Sequence, residues 1–426
     1  MTAERAWFGQ PRGLTILFLT NTWETFSYYG MRALLVYYMT KQLLLGQEQA
    51  SSIYGLYTAG AYFTPILGGI IADRYLGKKI AIVIGGSIMA AGHFMMAFQP
   101  FFYPALATIA IGNGLFLPSL PSQIDDLYQP GDPRVGWAYN VYYVGVNIGG
   151  FLAPLVCGTL GEVYGWHYGF GAAGVGMLVG LCIYLWGQRY LPPQVRHPRA
   201  ERGKTPRLQI DRSTLLLLAG IFLAVTVFRS AYEQIGNTVP LWADSGVDKS
   251  AGSMAIPMTW FIALNPLLVM LMTPPLLVRW RRREAQGHPS RPARRMAIGA
   301  VIVASSFVLL AILSATATGP TPWPWLALFF AILTFGELHI LPTGLGLFAR
   351  LAPPGFGATT VAGWYLASFA GSLAGGQVGR LWSHLSHAPY FMALASLALV
   401  AAAMLRNLDG LERRVARYGE LRAEKY

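Results

Sequence analysis

The sequence predicts an all-α integral membrane protein with twelve transmembrane helices in two six-helix bundles and both termini cytoplasmic. Three observations predict it. Of 426 residues, 54% are hydrophobic and only 12% charged, the composition of a polytopic membrane chain rather than a soluble enzyme. About twelve apolar segments, each near the ~20 residues needed to cross a bilayer, are separated by Gly, Pro or charge clusters. The basic residues fall on one side of the membrane if those segments alternate in direction.

The segments follow in order. Met1 to Arg12 is short and polar, and the apolar run after it lacks a small-residue cleavage site, so the first helix is read as retained. Predicted spans run from Gly13 to Thr40, Ser52 to Tyr75, Ile80 to Gln99, Tyr103 to Tyr128, Trp137 to Tyr164 and Tyr168 to Tyr190. The second set runs from Thr214 to Trp242, Met254 to Val278, Met296 to Thr316, Trp323 to Leu351, Ala358 to Leu385 and Pro389 to Met404. Between the sets, Leu191 to Arg212 is rich in Pro, Arg and Lys and too polar to span. The predicted organisation is an N-terminal bundle over 1–190, a cytoplasmic linker over 191–212, a C-terminal bundle over 213–406 and a basic tail over 407–426.

The linker bases Arg196, Arg199, Arg202, Lys204, Arg207 and Arg212 join Arg5, Arg12, Lys78, Lys79, the run Arg279 to Arg283 and the tail on one face. The positive-inside rule makes that face cytoplasmic and accounts for the net charge of +13 through topology, with no need for a nucleic-acid partner. The expected location is the plasma membrane, a bacterial inner membrane, with the lipid bilayer as surroundings and a monomeric state. The two cysteines, Cys157 and Cys182, lie inside apolar segments and form no disulfide or metal framework. No Ser-His-Asp, HExxH or Cys-His grouping marks an enzyme, and no metal or cofactor is expected.

Glu24 stands in the middle of the first apolar span. A charged side chain at the membrane centre costs ~2.5–3.5 kcal/mol on insertion scales, so such residues mark substrate or ion pathways. The alternative is a carboxylate paired between helices for packing alone. A second intramembrane acid, Glu337, lies in a repeated element: Gly112-Asn113-Gly114-Leu115-Phe116-Leu117-Pro118-Ser119 aligns with Gly336-Glu337-Leu338-His339-Ile340-Leu341-Pro342-Thr343, six helices later. Two parallel repeats would give that spacing, and repeat transporters bind cargo near the midplane between their halves. Gly145, Gly149 and Gly150, and Gly371, Gly375 and Gly379, form small-residue faces that allow close helix approach. Arg229 and Glu233 are one turn apart on one face; the pair either neutralises itself or takes part in coupling. His93 and His339 read as locally hydrogen-bonded.

The segment Gly69 to Lys79, containing Asp73, Arg74 and Lys78, resembles the cytoplasmic loop signature of the major facilitator superfamily. The longer run Gly68 to Gly92, together with Tyr139-Asn140-Val141-Tyr142-Tyr143-Val144-Gly145-Val146-Asn147-Ile148-Gly149-Gly150-Phe151, resembles the two signatures of the proton-dependent oligopeptide transporter family. Similarity continues through Phe228 to Asp244, Leu264-Asn265-Pro266 and Gly336-Glu337-Leu338. The resemblance implies the major facilitator fold, and the short linker implies twelve helices rather than the fourteen of many bacterial relatives.

Against the family's first-helix motif Glu-x-x-Glu-Arg-Phe, this chain has Asn21, Glu24 and Thr25, and the fourth-helix lysine position is Leu117. One acid and two cations are absent. By resemblance, Glu337 would receive a cargo ammonium, and Asn147 and Asn265 the peptide backbone. Tyr28, Tyr29, Tyr62 and Trp364 would shape side-chain pockets, and Arg229 would replace a lost cation. Glu233 and Glu24 are the proton-coupling candidates, and Asp73, Arg74 and Lys78 the gating residues. The expected activity is secondary active transport of oligopeptides or peptide-like small molecules by alternating access, with proton symport. The alternatives are a facilitative or antiport carrier of a non-peptide amphiphile, or a non-transporting membrane sensor.

Overall fold

The computed structural model describes residues 5–6, 9–129, 132–193, 211–252, 254–287, 291–353 and 356–423. The linker bases Arg196, Arg199, Arg202, Lys204 and Arg207 therefore lie outside the described residues. Among those described, twelve long helices follow one another: α1 (Arg12–Tyr37), α2 (Gln47–Ile71), α3 (Lys78–Met96), α4 (Phe102–Ser119), α5 (Val135–Ala153), α6 (Trp166–Gly187), α7 (Arg212–Tyr232), α8 (Thr259–Ala285), α9 (Pro292–Thr316), α10 (Trp323–Arg350), α11 (Gly357–Arg380) and α12 (His387–Ala423). Ten helical segments are long and apolar enough to cross a membrane, which makes this a multi-pass membrane protein. The two left out, α1 and α11, carry the polar cluster Asn21 to Ser27 and the Gly- and Ser-rich stretch Ser368 to Gly379.

Local chemistry sets several boundaries. Asp211 precedes α7 and its carboxylate accepts from the Ser213 backbone N–H at 3.1 Å, an N-terminal cap. Gly77 sits at φ 80° between the π-helical turn Ala72–Leu76 and α3, a left-handed conformation that a side chain would oppose. Two predicted boundaries are corrected. The seventh helix stops at Tyr232, passes through a 3₁₀ turn over Glu233–Gly236, and restarts as a short helix at Thr238–Gly246. The last helix does not end at the membrane but runs on through the predicted basic tail to Ala423.

The chain forms two compact units that do not follow sequence order. One contains residues 1–46, 60–199 and 249–270, the other 47–59, 200–248 and 271–426. Within the first unit α1 packs on α5 and α6, and α3 on α4 and α6. Within the second α7 packs on α11 and α12, and α9 on α10 and α12. These are the same pairings six helices apart. The hydrophobic core of the first unit gathers Leu17, Ile82, Met89, Phe116, Met177 and Tyr184.

The repeat extends to single contacts. A β-carbon on Gly85 would lie 2.7 Å from the Gly112 carbonyl oxygen, and one on Gly112 2.6 Å from that of Gly85. In the second unit Gly299 and Gly336 face one another in the same reciprocal way, at 2.6 and 2.7 Å. Gly112 and Gly336 are the aligned residues of the repeated element, and each allows backbone-to-backbone helix contact that a methyl group would prevent. Pro118 and Pro342 lie inside α4 and α10 at matching places.

Candidate functional site

In the first unit, α1 buries Asn21, Glu24 and Thr25 together, because its Gly-lined neighbour α5 approaches closely enough to exclude solvent. The Thr25 hydroxyl donates to Glu24 Oε2 at 3.3 Å, and Asn21 Nδ2 donates to the Tyr142 carbonyl at 3.3 Å. Among the described residues Glu24 makes no ion pair. Asn147 is buried on α5, its amide directed at its own helix through the Tyr143 carbonyl at 2.9 Å. Tyr28 and Tyr29 meet edge-to-face with ring centroids 5.4 Å apart, Tyr29 exposed and Tyr28 half-buried, as are Tyr62 and Asn265.

The second unit holds the ion pair. Arg229 Nη2 donates to Glu233 Oε1 at 2.6 Å across one helical turn, with both side chains buried. The Ser372 hydroxyl of α11 donates to the same carboxylate oxygen at 3.1 Å. Ser372 was not foreseen from the sequence; its only signal is its place beside Gly371 on the small-residue face. A shell of amide and hydroxyl groups follows directly. Gln234 Nε2 donates to the carbonyls of Ser230 at 3.0 Å and Gly375 at 2.8 Å, and its Oε1 accepts from Asn237, Thr238 and Tyr390. A network this complete holds the broken end of α7 in one conformation.

The helix glycines show which residues correspond. In the first unit a β-carbon at Gly149 would meet the Thr22 carbonyl and the Thr25 β-carbon; in the second, one at Gly371 would meet the Thr226 carbonyl and the Arg229 β-carbon. Arg229 thus stands at the repeat position of Thr25. By the same repeat, Asn113 is the counterpart of Glu337. Asn113 is buried and donates to the Ala61 carbonyl at 3.1 Å, while Glu337 is a buried acid on α10. Trp364 is buried against Gly344 and lies edge-on to Phe348, centroids 5.7 Å apart.

The gating group does not assemble as one cluster. Lys78 pairs with Asp126 at 2.8 Å and donates to the Ser122 carbonyl, while Asp73 and Arg74 remain exposed on the turn before Gly77. Within the second unit, Glu48 at the start of α2 meets Arg380 at 3.1 Å and His384 at 3.0 Å, and Gln47 and Ser51 bond to Gly379 and Asn237. Within the first, Glu162 accepts from the backbone N–H groups of Met258 and Thr259 at 2.9 Å each, capping the start of α8 from another segment. Neither Glu48 nor Glu162 was singled out by sequence, since acids near span ends carry no distinguishing pattern. Of the histidines, His339 Nδ1 bonds to the Phe335 carbonyl at 2.8 Å as expected. His93 differs: it is buried and neither ring nitrogen has a hydrogen-bond partner among the described residues.

Comparison with known proteins bears on the family and the fold. A family profile described as POT family matches residues 79–198 and 194–397. The uncharacterized transporter YclF of Bacillus subtilis (strain 168) is 30% identical over 474 residues, covering 96% of each chain. The peptide transporter YePEPT of Yersinia enterocolitica is 29% identical, covering 94% of each. Among solved structures, a peptide transporter POT in complex with sulfate superposes with a TM-score of 0.89 at 28% identity, over 97% of both chains. That superposition carries the twelve-helix major facilitator fold to this chain. With a matching profile across most of its length and a relative of this identity along nearly all of it, the chain belongs to the POT family.

Proposed function

We propose that this protein is a secondary active transporter that moves short peptides, or peptide-like compounds with separate amino and carboxylate groups, through a plasma membrane. It works as a monomer by alternating access, with both termini cytoplasmic. The carrying observation is the buried Arg229–Glu233 pair with Ser372, placed at the repeat position of the missing first-helix cation. Relatives named as a peptide transporter and as a di-/tripeptide transporter support the cargo class. So does the structure of a relative in complex with alafosfalin.

In this reading Glu337 receives the cargo ammonium as a charge-assisted hydrogen bond, and Arg229 receives the carboxylate. Asn147 and Asn265 serve the peptide backbone, while Tyr28, Tyr29, Tyr62 and Trp364 shape the walls. When Glu233 is ionised it holds Arg229. A proton taken up by the Glu233 carboxylate releases the guanidinium, so proton and cargo binding are linked through one cation, and the linkage is reciprocal. Asp73, Arg74 and Lys78 bias access on the cytoplasmic side without touching cargo.

A facilitative or antiport carrier of a non-peptide amphiphile is the second reading, favoured by the loss of charge at Asn21, Thr25 and Leu117. Uptake of a labelled dipeptide into liposomes, with and without an inward proton gradient, tests both. Gradient-stimulated uptake is expected. Uptake indifferent to the gradient keeps the peptide cargo and removes the proton coupling, and no uptake of any dipeptide sinks the first reading and favours the second.

A further inference from the structure

Where α8 gives way to α9, the second unit presents a dense set of arginines that differ in how they are held. Arg295 is fastened: its guanidinium lies 4.1 Å from the Trp280 ring centroid and meets Glu284 at 3.6 Å. Along α12, Arg413 pairs with Asp409 at 3.4 Å, and Glu412 accepts from the Ala293 backbone N–H at 2.9 Å, which joins α12 to the start of α9. Arg281, Arg282 and Arg294 are exposed and, among the described residues, make no ion pair or side-chain hydrogen bond. The Trp280–Arg295 contact brings them to one place, because Arg281 and Arg294 are the chain neighbours of the two stacked residues.

Each unpaired arginine ends an exposed apolar stripe. On α8, Leu271, Pro274, Pro275 and Val278 are exposed and share an arc of ~120° with Arg281 and Arg282. On α9, Ile298, Val301 and Ile312 are exposed within an arc of ~60° that contains Arg294. Both stripes meet their arginines at the same membrane face, since α8 ends and α9 begins there. Only 22% of the apolar window of α8 is buried within the structure, against 44% or more in every other candidate span. The second half of α8 thus offers about 10 Å of hydrocarbon, Leu271 to Val278, with guanidinium groups one turn beyond.

We infer that an anionic phospholipid docks on this α8–α9 face, its phosphate among Arg281, Arg282 and Arg294 and an acyl chain along the apolar stripe of α8. The amphiphile matches the surface in both halves. Hydrocarbon covers the stripe, and planar guanidinium groups bond phosphate oxygens in pairs. Unpaired arginines gathered in one place repel one another, and a shared phosphate relieves that repulsion. The positive-inside rule accounts for bases at this face, but not for their unequal pairing or for their alignment with bare stripes. A second copy of the chain laid on the same face would set its own arginines against these, so charge favours the lipid.

The test offers the purified, delipidated full chain equal amounts of dioleoyl phosphatidylglycerol and dioleoyl phosphatidylcholine, and counts the lipids retained by native mass spectrometry. The parent should retain the anionic lipid at least about tenfold over the zwitterionic one, since each surface arginine contributes about fivefold toward an anionic headgroup. Arg281→Gln with Arg294→Gln, both at exposed positions, should bring that preference to within about twofold, and Arg281→Lys with Arg294→Lys should keep most of it. Lys79→Gln with Arg189→Gln removes the same charge from the first unit and should leave the preference unchanged. Inorganic phosphate in equal amount should displace no lipid. Equal retention of the two lipids by the parent overturns the site. An equal loss in both Gln pairs overturns it too, by reducing it to general attraction, and displacement by inorganic phosphate overturns the part given to the apolar stripe.

Discussion

Helices α1 and α7 pack alike and are charged differently. Each lies against the glycines of the helix four places after it, α5 or α11, and each buries a carboxylate. In α1 that carboxylate, Glu24, faces a threonine hydroxyl; in α7, Glu233 holds Arg229 at 2.6 Å and accepts from Ser372. The contrast is repeated between α4 and α10, where Asn113 bonds to a backbone carbonyl and its counterpart Glu337 is an acid. Packing in this chain tolerates a duplicated scaffold, while among the described residues the buried acids and arginines are Glu24 in the first unit and Arg229, Glu233 and Glu337 in the second. Arg229 stands at the position equivalent to Thr25, as the proposed replacement of the first-helix cation requires.

The largest test of this comparison is removal of the cation. Arg229→Leu takes the guanidinium away from the buried Glu233 carboxylate and should destabilise the protein by about 3–5 kcal/mol, read as a loss of thermal stability in detergent. Arg229→Leu combined with Glu233→Leu should recover most of that loss. A double variant that is also fully active would reduce the pair to packing.

Next comes the contrast between α4 and α10. Glu337→Gln should weaken an amino-bearing cargo by about ten- to a hundredfold, since a hydrogen bond to a charged group contributes about 1.5–3 kcal/mol. Asn113→Asp, measured beside it, should not raise affinity. Unchanged affinity in Glu337→Gln would remove Glu337 from the site.

The shared scaffold is tested by matched substitutions. Gly112→Ala and Gly336→Ala each force apart a backbone contact and should destabilise by about 1–3 kcal/mol apiece. Markedly unequal losses would break the equivalence of the two crossings.

The smallest effect concerns pH. Binding of a dipeptide measured from about pH 5 to 8 should lose its pH dependence in Glu233→Gln and keep it in Glu24→Gln, a change of at most about tenfold per pH unit for one linked proton. The reverse result would move the coupling site to α1.

Much of the fold is legible in the amino-acid order. Apolar length and the spacing of breaks place the helices, since a spanning segment must satisfy its backbone internally. The match between Gly112 to Ser119 and Gly336 to Thr343 reveals the repeat because close backbone contact leaves glycine as a visible requirement. Arg229 and Glu233 are legible as a pair because a helix brings residues four apart to one face.

What sequence alone could not decide is which distant groups meet. Lys78 turns to Asp126 rather than Asp73, Ser372 joins Glu233, and Glu162 caps α8, each to a partner at least 48 positions away in the chain. Nor does hydropathy show that α7 breaks at Glu233 or that His93 lacks hydrogen bonds among the described residues. Local order follows from periodicity and composition, which one helix expresses by itself. Partner choice depends on the packing of several helices, where a single glycine or a half-turn of rotation decides whether a buried charge meets a cation, a hydroxyl or a hydrocarbon wall.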